Sequence, residues 1–249
     1  MILAVDAGNS NIVLGCMEGL EIRHTLRLKT DRAMSAAGYT VTLQAALAQA
    51  GFSVAGFEGG ILSSVVAAVT EPLRQTLSAL LSGPVLVVGK TAKTTLPLCI
   101  DQPETIGADL IAAAEGALAQ YAPPLVLIDM GTATTFSVLD KSGAIAPGVQ
   151  LGAEALTQRT GLPMTELSAP QSPLSHSTTD CLRSGIIYGA AAMVDGMLDR
   201  LETALGTPVT AIATGGLARC VIPHCRRPVT LDDQLLLRGL AVMYRREMT

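Results

Sequence analysis

Two short segments of the sequence, half a chain apart, combine an aspartate with glycine and small polar residues after an apolar run. The first, from Val5 to Leu14, contains Asp6, and the second, from Ile128 to Leu139, contains Asp129. Each is typical of a strand that ends in an acidic turn and returns as a second strand. Glycine lets the backbone approach a ligand, hydroxyl and amide groups donate to phosphate oxygens, and a carboxylate can hold a metal-bound water. These segments therefore favour phosphate binding.

A third segment, Ala213 to Gly216, follows a predicted strand at 209–213. Its paired glycines, Gly215 and Gly216, would let the backbone pack flat against a nucleobase or ribose. A single Asp-x-Gly segment is often nothing more than a turn. Two copies at domain-scale spacing, each after an apolar strand, together with the third segment indicate a nucleotide site.

The spacing of the two aspartates predicts how these segments are positioned. They lie 123 positions apart in a chain of 249 residues, which favours a duplicated fold. In each half a cluster of strands is followed by alternating strands and helices, the pattern of a mixed α/β sheet. Helices are expected at 36–50, 70–81, 106–120, 152–160, 178–205 and 231–246, and a turn at 143–148. Pro123 and Pro124 mark the boundary between two similar domains, 1–120 and 121–249.

The composition excludes several classes of function. A net charge of -4 and 3% aromatic residues leave neither a basic surface nor stacking platforms for nucleic acid. No uncharged apolar run reaches the roughly 18 residues of a membrane helix, and Asp6 interrupts the N-terminal apolar run that a signal peptide needs. The five cysteines form no C-x-x-C pair, which fits a reducing compartment. We expect a cytoplasmic protein that binds neither nucleic acid nor membrane.

Together the three segments resemble the motifs of the superfamily of acetate and sugar kinases, actin and Hsp70. A narrower resemblance, to the type III pantothenate kinases, covers the chain from Met1 to about Tyr244. It rests on six segments in the family's order: Asp6–Ser10, Ser63–Val66, Pro103–Asp109, Asp129–Thr135, Ile145–Gly148 and Thr214–Gly216. The resemblance implies a duplicated ribonuclease H-like (actin-like ATPase) α/β fold with an interdomain nucleotide cleft. It also implies an enzyme that uses ATP to phosphorylate pantothenate, the first step of coenzyme A biosynthesis.

On the acceptor side, the resemblance makes Asp109 the general base that takes the proton of the pantothenate hydroxyl. Gly107 and Ala108 precede it in the substrate-binding segment, and Thr178 reaches pantothenate from the partner subunit of a homodimer with a shared active site. A second interpretation of Asp109 remains open from the residues alone, because an acidic residue in the first turn of a helix is favoured by the helix dipole.

On the nucleotide side, the resemblance implies that Asp6 holds Mg²⁺ through water and that Asp129 lies at a monovalent cation, K⁺ or NH₄⁺. Gly215 and Gly216 line the adenosine. The remaining residues expected at the phosphates belong to the two turns: Gly8, Asn9, Ser10 and Asn11 in the first, and Gly131, Thr132, Ala133 and Thr134 in the second.

The chain departs from the family pattern on the acceptor side. Leu110 replaces an arginine that grips pantothenate, and Ile100 replaces a tyrosine that contacts it. Leucine cannot pair with a carboxylate, and loss of such a partner costs about 1.5–3 kcal/mol, roughly tenfold to a hundredfold in affinity. Three functions stay open: pantothenate phosphorylation through altered contacts, phosphorylation of a different small hydroxyl acceptor, or a nucleotide-binding regulatory paralogue with little kinase activity.

Overall fold

The computed structural model describes residues 1–139, 143–147 and 149–249. The chain forms two compact units, Met1–Gln120 together with Gln234–Thr249, and Tyr121–Asp233. The sequence predicts a boundary between residues 120 and 121. The last helix, however, belongs to the first unit, whereas the sequence prediction placed all of 121–249 in the second. The local pattern of a helix fixes its apolar face but not the sheet that covers it.

The first unit is built on a five-stranded mixed sheet in the order β3-β2-β1-β4-β5. Strand β1 is antiparallel to β2 and parallel to β4. Its strands and helices are β1 (Ile2–Ala7), β2 (Asn11–Glu18), β3 (Glu21–Lys29), α1 (Ala36–Gln49), β4 (Gly59–Ser64), α2 (Ala67–Leu80), β5 (Val85–Val87) and α3 (Ala108–Leu118), with α7 (Leu235–Met248) from the end of the chain.

The two faces of this sheet are buried against different helices. Leu3 and Val5 of β1 pack with residues of α1 and α2 such as Leu43 and Leu73. Alternate residues of β1, including Ala4, pack with α3 and α7. Because side chains alternate along a strand, Asp6 lies on the same face as Ala4. The fold therefore directs this aspartate to the side of the sheet that carries α3.

The second unit repeats this plan with a sheet in the order β10-β9-β6-β7-β8. Its β6 is antiparallel to β7 and parallel to β9, as β1 is to β2 and β4. Its elements are β6 (Leu125–Met130), β7 (Ala133–Leu139), β8 (Gly143–Pro147), α4 (Val149–Arg159), α5 (Thr178–Leu205), β9 (Thr210–Thr214), α6 (Ala218–Val221) and β10 (Thr230–Leu231). The matching strand order confirms the duplicated α/β fold.

Local signals explain where the main helices begin and end. The Ser177 hydroxyl accepts a hydrogen bond from the Asp180 amide at the start of α5, and Gly206 closes that helix with a φ of 69°. Ser35 caps α1 in the same way. Helices α3 and α7 cross at two glycines, because a Cβ on Gly116 or Gly239 would collide with the backbone of the other helix.

One local prediction is wrong. The sequence predicts a turn at 143–148, but Gly143–Pro147 form β8, which pairs antiparallel with β7 at the edge of the second sheet. Glycines at both ends of the segment favoured the turn, and only pairing with β7 makes it a strand. Gly148 lies outside the described residues. Among the residues that the structure describes, no helix has both the length and the apolar character needed to cross a membrane.

Candidate active site

The first acidic turn joins β1 to β2. The Gly8 amide donates a hydrogen bond of 3.0 Å to the Asn11 carbonyl oxygen and closes the turn. Asn9 and Ser10, at its tip, are exposed. Their amide and hydroxyl groups are thus available to an anion, as the residue types predict.

A buried serine orients the aspartate at the base of this turn. Asp6 stands directly opposite Ser63 in the pairing of β1 with β4. The Ser63 hydroxyl donates to Asp6 Oδ1 at 3.0 Å, and its side chain is fully buried. Ser63 belongs to one of the segments that resemble family motifs, but its contact with Asp6 depends on a strand pairing that the sequence alone does not give.

The segment after β3 is bound to the same turn by three hydrogen bonds. The Thr30 hydroxyl donates to the Gly8 carbonyl at 2.7 Å, and the Thr30 amide donates to the Ser10 carbonyl at 3.1 Å. Arg32 Nη2 donates to the Asn9 side-chain oxygen at 2.9 Å. Sequence reasoning missed Thr30 and Arg32. The polar run at the end of β3 was the available signal, but it reads equally as a surface loop.

Asp109 lies in the first turn of α3, where its Oδ1 accepts a hydrogen bond of 2.8 Å from the Leu110 amide. Burial raises the pKa of its carboxyl group, and hydrogen bonds from the Leu110 and Asp109 backbone amides offset part of the rise. A Cβ on Gly107 would collide with the Asp109 carboxylate, so glycine at this position makes room for it.

The first unit brings Asp6 and Asp109 to one end of one sheet face. Asp6 lies on the face covered by α3, at the carboxyl end of β1. Gly107, which precedes α3, lies against Val65, since a Cβ at that glycine would be 3.4 Å from the Val65 Cγ1. Val65 directly follows β4 at the same end of the sheet, two residues beyond Ser63. Asp109, the base expected from the sequence, therefore lies at the same end of the sheet as the first acidic turn.

The second acidic turn joins β6 to β7. Asp129 stands opposite Thr135 on β7 and Thr214 on β9, as Asp6 stands opposite Val13 and Ser63. At the tip, Gly131 is partly buried, and Thr132 and Ala133 are exposed. Thr134 is fully buried and lies within the pairing of β7 with β6, so the exposed tip of this turn consists of Thr132 and Ala133.

The paired glycines after β9 pack against this second turn. Gly215 has a φ of +96°, and a Cβ there would be 2.6 Å from Asp129 Oδ1 and 2.7 Å from the Met130 backbone. Only glycine fits this conformation and contact. Gly216 is exposed and has open space around its Cα. The turn with Asp129 and the Gly215–Gly216 pair thus form one continuous backbone surface in the second unit.

Comparison with known proteins decides the family. The family model for type III pantothenate kinase matches residues 2–200. The type III pantothenate kinase of Exiguobacterium sp. is 38% identical over 252 residues, which cover 99% of both chains. That of Moorella thermoacetica is 34% identical with the same coverage. The chain belongs to the type III pantothenate kinase family.

A solved structure supports the fold independently. Component A of the (R)-2-hydroxyglutaryl-CoA dehydratase of Acidaminococcus fermentans superposes with a TM-score of 0.58, covering 100% of this chain and 99% of that one, at 13% identity. At that identity the likeness concerns the fold alone, the duplicated ribonuclease H-like α/β fold. Membership of the pantothenate kinase family makes the chain an enzyme that uses ATP, a divalent metal ion and a small-molecule substrate.

The donor atoms of the two turns suit the cations expected of a type III pantothenate kinase. Asp6 offers a hydrogen-bonded carboxylate, the ligand type that Mg²⁺ uses directly or through water. Thr135 lies directly opposite Asp129, and its buried hydroxyl makes no hydrogen bond among the described residues. The buried Thr134 hydroxyl also makes none there, but it points to the other face of the strand. Oxygen donors on one face, from Asp129 and Thr135, fit a hard cation.

Three residues expected on the acceptor side of the kinase are not joined to either turn by a hydrogen bond among the described residues. Leu110, next to Asp109, is partly buried. Ile100 is 40% exposed in the irregular segment before α3. Thr178, the first residue of α5, is exposed. The structure leaves the last two facing solvent, where a ligand or a second chain can reach them.

Proposed function

We propose that this chain transfers the γ-phosphoryl group of ATP to the primary hydroxyl of pantothenate and forms 4'-phosphopantothenate, the first step of coenzyme A biosynthesis. The observation that carries the proposal is the placement of Asp109 beside the first phosphate turn, with a pKa raised by burial. A base in that place can accept the hydroxyl proton as the phosphoryl group is transferred.

Each part of the site has one task in this reaction. Asp109 takes the proton of the acceptor hydroxyl, and the backbone and side chains of residues 8–11 orient the phosphates. The turn at 131–134, which belongs to the second unit, also binds the phosphates. Gly215 and Gly216 support the adenosine. Phosphoryl transfer depends mainly on positioning and charge stabilisation, which is what two rigid turns at strand ends supply.

Two cations complete the proposed site. Asp6 would hold Mg²⁺ through water, and Asp129 with Thr135 would hold a monovalent cation, K⁺ or NH₄⁺. When bound, these ions supply positive charge at the phosphates. The carboxylates of Asp6 and Asp129 would otherwise repel the phosphates, so each needs a cation beside it for ATP to bind.

We further propose a homodimer in the cytoplasm, in which Thr178 completes the acceptor site of the partner subunit. The exposed position of Thr178 at the start of a 28-residue helix supports the shared site. The cytoplasm is supported by the cysteines, all five of which are free thiols.

A second candidate function follows from Leu110 and Ile100. Both are aliphatic residues at positions where the family has polar contacts to pantothenate. This favours either a less polar hydroxyl acceptor or a nucleotide-binding regulator with little turnover. The discriminating assay incubates the protein with ATP, Mg²⁺ and K⁺. Pantothenate is compared with a panel of small hydroxyl compounds, and both ADP release and the mass of the product are measured.

We expect ADP release that depends on pantothenate and a product one phosphoryl group heavier. ADP release with another compound of the panel, but not with pantothenate, would support the altered-acceptor function instead. ATP binding without transfer to any compound would support the regulator.

Substitution tests the same question from the protein side. Leu110→Arg with Ile100→Tyr should tighten pantothenate about tenfold or more, because a bidentate arginine returns a charged hydrogen bond. Neither residue lies in a phosphate turn, so the affinity for ATP should stay nearly unchanged and serves as the internal control. If wild-type affinity for pantothenate is already high and the double variant gains nothing, the lost contacts are replaced elsewhere in the chain.

A further inference from the structure

The two acidic turns of this chain contain no positively charged side chain. Residues 5–11, 129–135 and 213–216 contain no lysine or arginine, and neither does the segment 103–110 around the base. The charged side chains within these four segments are all acidic. Kinases generally place a lysine or arginine on the transferred phosphates in addition to the metal ion. A cationic side chain that assists the bound metal ions therefore has to come from another segment.

The structure places such a cation on the first turn. Arg32 Nη2 donates to the Asn9 side-chain oxygen at 2.9 Å. This bond uses one of the five N–H donors of a guanidinium, and the others make no hydrogen bond among the described residues. Asn9 is exposed, as is Arg32. An anion bound at the tip of the turn is therefore within reach of a planar donor group suited to phosphate.

The segment that carries Arg32 is held in place from two sides. Thr30 bonds to Gly8 and Ser10 of the turn, as described above. On the other side, the hydroxyl of the buried Tyr39 donates to the Asp31 carbonyl at 2.8 Å. Two hydrogen bonds from Thr30 to the turn and one from Tyr39 to Asp31 thus hold the two residues that precede Arg32. A guanidinium on so short and anchored a segment needs little ordering when a ligand arrives.

The charges around Arg32 favour an anion. Lys29 stands opposite Asn11 in the pairing of β2 with β3, so it lies on the same sheet face as Asp6. The neighbouring acid, Asp31, turns its carboxylate back to accept the Ala33 amide at 2.9 Å. Lys29 adds positive charge on the Asp6 face, while the Asp31 carboxylate is engaged by its own loop.

We propose that Arg32 is a phosphate-binding residue of the kinase site, contacting the β- and γ-phosphates of ATP from the segment after β3, with Lys29 adding positive charge. The proposal rests on the proposed function for the identity of the nucleotide. It assigns to the first unit the cation that the sequence motifs lack. Because the contact is with phosphate, Arg32 should contribute to the affinity for ATP and should not contribute to the affinity for adenosine.

The test compares binding of ATP, ADP, AMP and adenosine to the wild type and to three variants by titration calorimetry with Mg²⁺ present. Arg32→Gln should weaken ATP about tenfold to a hundredfold, the cost of a charged hydrogen-bonding partner, and should leave adenosine within about twofold. The ATP affinity of Arg32→Lys should lie between those of the wild type and Arg32→Gln, since lysine keeps the charge but not the planar pair of N–H donors. Arg23→Gln removes a charge from an exposed ion pair at the far end of β3 and should bind all four ligands like the wild type.

Ionic strength gives a second readout that a merely structural role would not change. The affinity of the wild type for ATP should fall more steeply with salt than that of Arg32→Gln. Unchanged ATP binding in Arg32→Gln would overturn the proposal, and so would an equal loss for ATP and adenosine. If the wild type binds ATP with the predicted dependence on Arg32 but does not phosphorylate pantothenate, the proposed function fails and Arg32 stands. If the wild type binds no ATP, both fail.

Discussion

Burial at the start of α3 gives Asp109 a pKa above the ordinary aspartate value of 3.8. Asp109→Asn keeps the acceptor oxygen for the Leu110 amide but removes the basicity. We expect turnover to fall about 100- to 10,000-fold, the usual contribution of a general base, with ATP affinity little changed. Steady-state kinetics with pantothenate would measure this. An asparagine variant with nearly wild-type turnover would show that Asp109 is only a helix-start residue.

The raised pKa also fixes the direction of two pH effects. The folded protein binds the Asp109 proton more tightly than the unfolded chain does. The charged carboxylate therefore lowers the free energy of unfolding at pH values above its folded pKa, and this cost disappears as the pH falls through that pKa. Asp109→Asn should accordingly be at least as stable as the wild type at pH 7. The wild-type kcat/KM should decline on the acid side at a pH above 3.8.

Gly215 combines a left-handed backbone conformation with close contact to the turn that contains Asp129. Gly215→Ala places a Cβ 2.6 Å from Asp129 Oδ1 in a backbone conformation with a φ of +96°. We expect a loss of about 1–3 kcal/mol in the free energy of unfolding, the range for a strained backbone position, and weaker ATP binding as the second turn shifts. Urea unfolding and nucleotide titration would measure both.

Gly216→Ala is the matched control for the stability part of that measurement, because a Cβ there meets open space. It should change the free energy of unfolding far less than Gly215→Ala. Equal effects of the two substitutions would mean that the contact with Asp129 does not govern the cost.

At the scale of elements, a buried ion pair joins three segments of the first unit. Glu115 of α3 is 6% exposed and accepts two hydrogen bonds of 3.0 Å from Arg246 of α7. The Thr94 hydroxyl donates to the same carboxylate at 2.8 Å, and Arg246 also donates to the Lys93 carbonyl at 2.7 Å. The pair therefore fixes both the last helix and the segment that leads towards Asp109.

Glu115→Gln should lower the free energy of unfolding by up to about 3 kcal/mol, the lower end of the range for buried pairs, since Arg246 is partly exposed. The substitution leaves the guanidinium without its charge partner in a partly buried place. Urea unfolding would measure the loss. Glu71→Gln is the control: it breaks an exposed pair with Arg74 and should change the free energy of unfolding little. A Glu115→Gln variant as stable as Glu71→Gln would contradict the role of the pair.

The elements differ in how far the sequence determines them. Helix α5 is predicted at its observed bounds because helix signals are local, and the structure shows that Ser177 and Gly206 cap it. The turns at Asp6 and Asp129 are predicted for the same reason. Strand β8 forms by pairing with β7, and α7 packs on the first sheet. The local sequence pattern identifies neither partner. The contacts of Ser63 and Arg32 with the first turn likewise require strand pairing and loop closure that only the folded chain supplies.

The duplication of the two units extends to the residue that stands opposite each aspartate on the neighbouring parallel strand. Asp6 and Asp129 are each the next-to-last residue of the first strand of their sheet, and each stands opposite a hydroxyl residue on the parallel neighbour, Ser63 or Thr214. The units then diverge. The first adds a base and an arginine, and the second adds a pair of glycines. Under the proposed function, the same strand plan would carry the base in the first unit and the residues that support the adenosine in the second.

One face of α5 is suited to the association of two chains. Along α5, Cys181, Gly185, Gly189 and Ala192 recur at helical spacing and are all exposed. A Cβ on Gly185 or Gly189 would meet open space. Small exposed residues on one face of a long helix let a second helix approach closely. We expect the wild type at micromolar concentration to have twice the mass of one 25.7 kDa chain, as measured by light scattering.

Gly189→Glu should separate the subunits, because it places a charge at the centre of that face. Gly152→Glu is the matched control, since this glycine of α4 also has open space around it and the same charge is added to a helix. The separated chain should bind ATP like the wild type but lose affinity for pantothenate, because Thr178 of the partner subunit no longer reaches the acceptor. A wild type that is monomeric, or a monomeric Gly189→Glu variant with full affinity for pantothenate, would show that each chain completes its own site. In that case the exposed start of α5 has no part in the reaction.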